Sequence, residues 1–208
     1  MTGSERLEPF RERIERILDR VLARVDAVMP ISHIDIVVAD HPEQAIDETG
    51  SGGVAWTRHF VQINLDPMHT WREGAFELEL ASSVSHELHH AVRLMSWSWP
   101  LSLGDSFVTE GLADHFDREI NGGDPKPWSI ALNAEEARAC FIRAQDEFLV
   151  AEYDHAAWFF GSEERDIPKW AGYSIGYHLV GDYLSGTDRT AAALVGIDAK
   201  EILAHWLP

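Results

Sequence analysis

The segment His86-Glu87-Leu88-His89-His90 constrains this chain more than any other. It reads H-E-x-x-H, and it lies in a stretch, about residues 71–95, whose apolar spacing predicts a helix. An α-helix turns about 100° per residue, so positions i and i+4 stand roughly 40° apart on one face. His86 and His90 can therefore offer two imidazole nitrogens to a single ion. Glu87 points to the flank, where it can reach a water bound to that ion. Two histidine ligands and a carboxylate base suit metal-assisted hydrolysis of a peptide bond. The alternative is that both histidines are ordinary polar residues of one helix face.

The pair needs a third ligand to become a site. The metzincin continuation requires Gly at position 93 and His at 96. Arg93 and Ser96 stand there instead, which excludes that class. The next predicted helix, about residues 106–120 with Asp105 as its cap, carries Glu110-Gly111-Leu112-Ala113-Asp114. A carboxylate from Glu110 completes a three-ligand set and leaves a fourth position open for water. Gly111 is costly inside a helix, so it predicts close packing on the HELHH helix. Asp114 follows Glu110 by one turn. It either accepts a hydrogen bond from the outer nitrogen of a ligand histidine, fixing its tautomer, or is an ordinary surface acid.

Around this core the chain reads as α+β, with strands early and helices late. Apolar residues from Leu7 to Val28 recur at helical spacing, and Pro30 ends that helix. Residues 31–39 alternate β-branched and polar positions, which predicts a strand. Gly50-Ser51-Gly52-Gly53 reads as a turn or mobile loop. Residues 54–56 and 60–65 read as two short paired strands. Asn133 and Glu136 form a capping-box pattern opening a helix to about residue 152. Residues 161–168 read as polar loop, residues 170–184 as a further helix, and a short helix ends the chain. With 208 residues and no linker or repeat, one domain is expected: helix and sheet over 1–66, site-bearing helices over 71–185.

The formal net charge of −18 argues against nucleic-acid or anionic-membrane partners, which require basic patches. No apolar run approaches a membrane span and no secretory leader is evident, so a cytoplasmic protein is expected. Cys140, the sole cysteine, sits among Ala139, Phe141 and Ile142 and is expected to be a buried structural thiol.

HELHH followed by Glu-Gly-Leu-Ala-Asp resembles the gluzincin metallopeptidases, which hold zinc with two histidines and a glutamate. Together with Gly172-Tyr173-Ser174-Ile175-Gly176-Tyr177, these motifs are more specifically similar to an uncharacterised bacterial family of predicted zinc-dependent proteases. The resemblance covers about residues 50–185. It implies a zincin-like fold, a small sheet on the HExxH helix with helices closing the cleft, and a peptide or protein substrate. On this reading zinc is held by His86, His90 and Glu110, and Glu87 is the general base. The oxyanion needs a second donor, for which Tyr173 comes first and Tyr177 and His178 next. The two tyrosines read equally well as packing residues. Gly172 and Gly176, one turn apart, let their helix approach a neighbour closely. The resemblance also implies an extended substrate on an edge strand, with Phe60-Val61-Gln62-Ile63-Asn64 as the candidate. Trp97 and Trp99 are candidates for lining a subsite. His89 is expected near the ligands or in solvent, and His115 and His155 are further histidines of interest.

Two other readings stay open. Glu87/His90 and Glu152/His155 are both E-x-x-H pairs, and with Glu110 or Glu119 and Glu15 they could serve a ferritin-like di-iron bundle. Such a bundle has no use for His86 or for the strands. The other reading is a zincin-fold protein that holds zinc without turnover, against which an intact Glu87 argues.

Overall fold

The computed structural model describes residues 5–98 and 101–207. The first long helix, α1 (Arg11–Val28), buries Ile14, Ile17, Val21 and Val25 along one stripe, as the spacing predicts. Three strands follow: β1 (Asp35–Asp40), β2 (Ser51–Thr57) and β3 (Phe60–Leu65). Their order is β1-β3-β2, with β1 parallel and β2 antiparallel to β3. The expected pairing of the last two strands is therefore present, but β3 lies in the centre. Phe60–Asn64 cannot be an edge, and that expectation is corrected: the edge beside the helices is β2.

A second correction concerns the glycines. Ser51, Gly52 and Gly53 belong to β2 rather than to a loop. Glycine normally weakens a strand, and inside one it often marks a close approach of another element. Here that element is α2 (Ala75–Arg93), the HELHH helix. Val61, Ile63, Leu65 and Ala55 of the sheet are buried, and so is α2 on nearly every side, from Phe76 and Leu80 through Val84, Leu88 and Ala91. A helix buried nearly all round is the central rod of its domain. On it pack α1, the sheet and α3 (Leu103–Asn121).

Helix α3 begins three residues before the sequence expectation. Ser102 is the N-cap and Asp105 its reciprocal partner: Asp105 N–H donates to Ser102 Oγ and Ser102 N–H to Asp105 Oδ2. Gly122 ends the helix. The expected capping box of Asn133 and Glu136 opens α4 (Ala134–Arg143), which stops short of residue 152. A short helix, α5 (His155–Phe160), lies where none was expected, and the chain closes with α6 (Ala171–Ser185) and α7 (Ala199–Leu203). Cys140 is buried in α4, and burial raises its thiol pKa.

Gly111 does not face α2. A Cβ on Gly111 would stand 2.1 Å from Gly176 O, and one on Gly176 would stand 2.1 Å from Phe107 O. The two glycines let α3 and α6 cross backbone to backbone. Between α2 and α3 the contact includes a polar cluster: Ser82 and Ser85 donate to Asp117, and Asn121 donates to Ser85 Oγ and Asp117. Among the described residues, no helix is long and apolar enough to cross a membrane.

Candidate metal centre

Successive turns of α2 carry His86 and His90, whose rings lie 4.5 Å apart at 88°. Helix α3 brings Glu110 beneath them. Its carboxylate oxygens lie 3.3 Å from His86 Nε2 and 3.5 Å from His90 Nε2. One donor atom from each of the three residues falls within 4.8 Å of the others, the only such grouping of three among the described residues. Burial disfavours the charge on Glu110, yet the two imidazoles outweigh it and hold the carboxyl well below its ordinary range. Two imidazoles and one carboxylate form a donor set that suits zinc, so the residues fit the metal expected from the motif.

Asp114 lies one turn along α3 and is buried. Its Oδ1 stands 3.0 Å from His86 Nδ1, so the ring turns Nε2 toward Glu110. Burial opposes charge on His86, but its hydrogen bonds to Asp114 and Glu110 raise its pKa well above the ordinary histidine value. Asp114 is itself gripped from the segment between α3 and α4. Ser129 Oγ donates to Oδ2 at 2.6 Å, and Trp128 Nε1 donates to Oδ1 at 3.4 Å. Sequence reasoning found Asp114 but missed Ser129 and Trp128, which no motif marks. Among the described residues His90 has no such second partner, and its Nδ1 is buried without a hydrogen bond.

Glu87 is buried on the flank of α2 that faces β2. Burial raises its pKa, and the neighbouring His90 and His86 only partly offset this. Gly53 makes the room: a Cβ there would stand 2.4 Å from Glu87 Cγ. Gly52–Ala55 form one wall of a cavity of about 770 Å³, whose floor holds His86, Glu87, His90 and Glu110. Tyr173 of α6 lines the same cavity. Burial and then the carboxylates of Glu110, Asp114 and Glu87 push its phenol well above the ordinary value, so it stays protonated.

The other sequence candidates lie elsewhere. Tyr177 accepts a hydrogen bond from Arg118 at 2.7 Å and stacks on His115 at 4.3 Å. His178 Nε2 pairs with Leu132 O, and His115 Nε2 with Tyr177 O. Neither Tyr177 nor His178 borders the cavity. His89 is not in solvent. It is fully buried beside Phe116 and Ala191 O. Trp97 borders Arg93 rather than the cavity, and Trp99 lies outside the described residues. His155 does border the cavity and pairs with Tyr153 Oη at 2.9 Å. The di-iron set is dispersed. Glu15 is exposed beside Arg11, Glu119 caps Ala191 and Ala192, and Glu152 is exposed in a bend.

These features define an α+β protein with a candidate His–His–Glu metal centre. The chain belongs to the family described as predicted Zn-dependent protease (DUF2268), whose model matches residues 11–204. It is 26% identical over 153 residues to the uncharacterised protein YjfC of Bacillus subtilis (strain 168), across 66% of this chain and 51% of that relative. The chain thus spans about half the length of that relative. No solved structure matches it.

Proposed function

We propose that the protein is a zinc-dependent peptidase of zincin-like fold. The observation that carries this reading is the convergence of His86 Nε2, His90 Nε2 and the Glu110 carboxylate beside a buried Glu87, on the floor of an open cavity. His86, His90 and Glu110 would hold the metal. When bound, zinc supplies Lewis-acid polarisation that makes water nucleophilic near neutral pH and stabilises negative charge on oxygen.

The remaining chemistry belongs to the chain. Glu87 accepts the proton of the attacking water and returns it to the leaving amine. Burial raises its pKa, the direction that suits a carboxyl that must both take and give a proton. Tyr173 keeps its proton and donates to the oxygen that gains charge. Edge strand β2 presents backbone groups along the cavity wall, which suits an extended peptide laid beside Gly52–Ala55.

The deciding experiment is Glu87→Gln. The variant is expected to bind zinc as the wild type does and to hydrolyse no peptide. His86→Ala is expected to lose the metal. Metal analysis of the wild type is expected to give a single zinc per chain, and two irons would overturn the reading. Failure of the zinc-loaded wild type to cleave any member of a broad peptide library would favour a zinc-binding role without turnover.

A further inference from the structure

The cavity extends past the metal centre onto an aromatic wall of which the proposed chemistry uses only Tyr173. Trp128, Trp170, Phe160 and Tyr173 all border it. Trp128 and Trp170 stand 6.4 Å apart at 72°, and Trp128 and Tyr173 are 6.4 Å apart. Phe160 is 58% exposed despite being the last residue of α5. A large aromatic surface left open in a cavity is apolar area that a ligand can cover.

The backbone adds a separate observation. Trp170 adopts φ 65° and ψ 18°, a left-handed conformation, at the N-terminus of α6, and no side-chain hydrogen bond caps the helix there. That conformation costs a non-glycine residue about 1 kcal/mol, and glycine or asparagine would relieve it. A bulky indole here is not explained by helix capping. It is explained if the turn serves to aim Trp170 across the cavity at Trp128. Lys169 Nζ lies 3.8 Å over the outer part of this arrangement, on the Trp170 ring, and is 3.6 Å from Glu48 across the rim. Lys126, the other lysine at the cavity, is paired with Glu79 at 2.6 Å. Both lysines at this wall therefore face a carboxylate.

Trp128 also touches the metal centre through Asp114, since its Nε1 donates to the same oxygen that faces His86 Nδ1. The wall is thus continuous with the place where the scissile bond would lie. We propose that Trp128, Trp170 and Phe160 form a specificity subsite that takes an aromatic side chain of the peptide, close to the cleaved bond. This deepens the peptidase reading and rests on it for the identity of the ligand as a peptide. Face-to-edge packing of a phenyl ring against two indoles favours Phe, Tyr or Trp over small residues.

The test separates the subsite from the peptidase reading by measuring binding without turnover. Zinc-loaded Glu87→Gln protein is titrated calorimetrically with a blocked Ala–Ser peptide and with variants carrying one Phe at each position in turn. One Phe position is expected to bind on the order of 10-fold tighter than the parent peptide, the gain that burying one aromatic ring allows. Adding Trp170→Ala, or Trp170→Leu as the milder change, is expected to remove most of that preference while zinc content and helix content stay the same. Wild-type protein is expected to cleave next to the preferred Phe. Equal binding of all the peptides, no binding of any, or a preference that survives both tryptophan changes overturns the subsite. A tryptophan-dependent preference with no cleavage by the wild type supports the subsite and removes the peptidase reading instead.

Discussion

Gly53 and Glu87 touch across the boundary between β2 and α2, and the contact leaves no space for even one methyl group. A Cβ on Gly53 would meet Glu87 Cγ at 2.4 Å and its carboxyl carbon at 3.0 Å. A Gly53→Ala change must therefore move either the strand or the proposed base. The metal donors His86, His90 and Glu110 are not in that path. The variant is expected to keep its zinc and to lose on the order of 100-fold in kcat/KM, the usual effect of misplacing a catalytic group by about 1 Å. Zinc content and peptide hydrolysis are measured on one preparation. Unchanged hydrolysis would mean that Glu87 moves freely and is not positioned by the strand.

Asp114 predicts a change in metal affinity rather than in fold. It is the oxygen partner of His86 Nδ1 and is fixed by Ser129 and Trp128. Asp114→Ala frees the ring to rotate and lowers its basicity, so zinc affinity should fall roughly 10- to 100-fold. Competition with a coloured chelator reads this directly. Ser129→Ala removes one grip on the carboxylate and is expected to give a smaller loss in the same direction. Equal affinity for wild type and Asp114→Ala would show that His90 and Glu110 orient the metal without it.

The shared face of His86 and His90 was legible because a helix places i and i+4 side by side whatever else the chain does. Asp114 was legible for the same reason, as it sits one turn from Glu110. The error over Gly111 is of another kind: the spacing required a close neighbour but could not say which helix, and the neighbour is Gly176. Strand order was invisible, because β3 follows β2 in sequence and yet lies between β1 and β2. Gly52 and Gly53 carried a strand signal that their composition concealed, since in isolation glycine pairs read as turns. Tyr177 and His178 illustrate the limit of a helix-face argument. Tyr177 lies one turn beyond Tyr173 on nearly the same face of α6, yet its ring packs on His115 and its hydroxyl meets Arg118 of α3, while His178 is turned to Leu132 O.

A pH dependence of stability follows from the ion pair between Arg13 of α1 and Glu77 of α2. Arg13 Nη2 donates to Glu77 Oε2 at 2.6 Å, and this hydrogen bond depresses the Glu77 pKa below its ordinary value of 4.5. A carboxyl depressed in the folded state stabilises above its unfolded pKa, and that contribution is lost as pH falls through the folded value. Glu77→Gln is therefore expected to lower the urea midpoint slightly at pH 7 and to match the wild type once the pH is well below 4.5. The effect is small because both side chains are about one-third exposed. A difference that grows on acidification would contradict the pairing.

The crossing of α3 and α6 gives the largest expected loss of stability. Gly176 lies against Phe107 O and Gly111 N, at 2.1 Å and 3.0 Å from where its Cβ would stand. Both obstacles are backbone, which cannot swing aside as a side-chain tip would. Gly176→Ala must push the helices apart, and α3 carries Glu110 and Asp114 while α6 carries Tyr173. Overpacking of this kind costs about 3 kcal/mol. In a chain of this size that lowers the melting temperature by roughly 6–12 °C. Gly186, which ends α6, is the control. Its φ is −89°, and a Cβ there would meet nothing nearer than 3.7 Å. Gly186→Ala is expected to shift stability by no more than about 0.5 kcal/mol. Thermal denaturation of the metal-free proteins separates the two, because without zinc the difference reports packing alone. A Gly176→Ala protein as stable as Gly186→Ala would mean that α3 and α6 do not cross at this glycine.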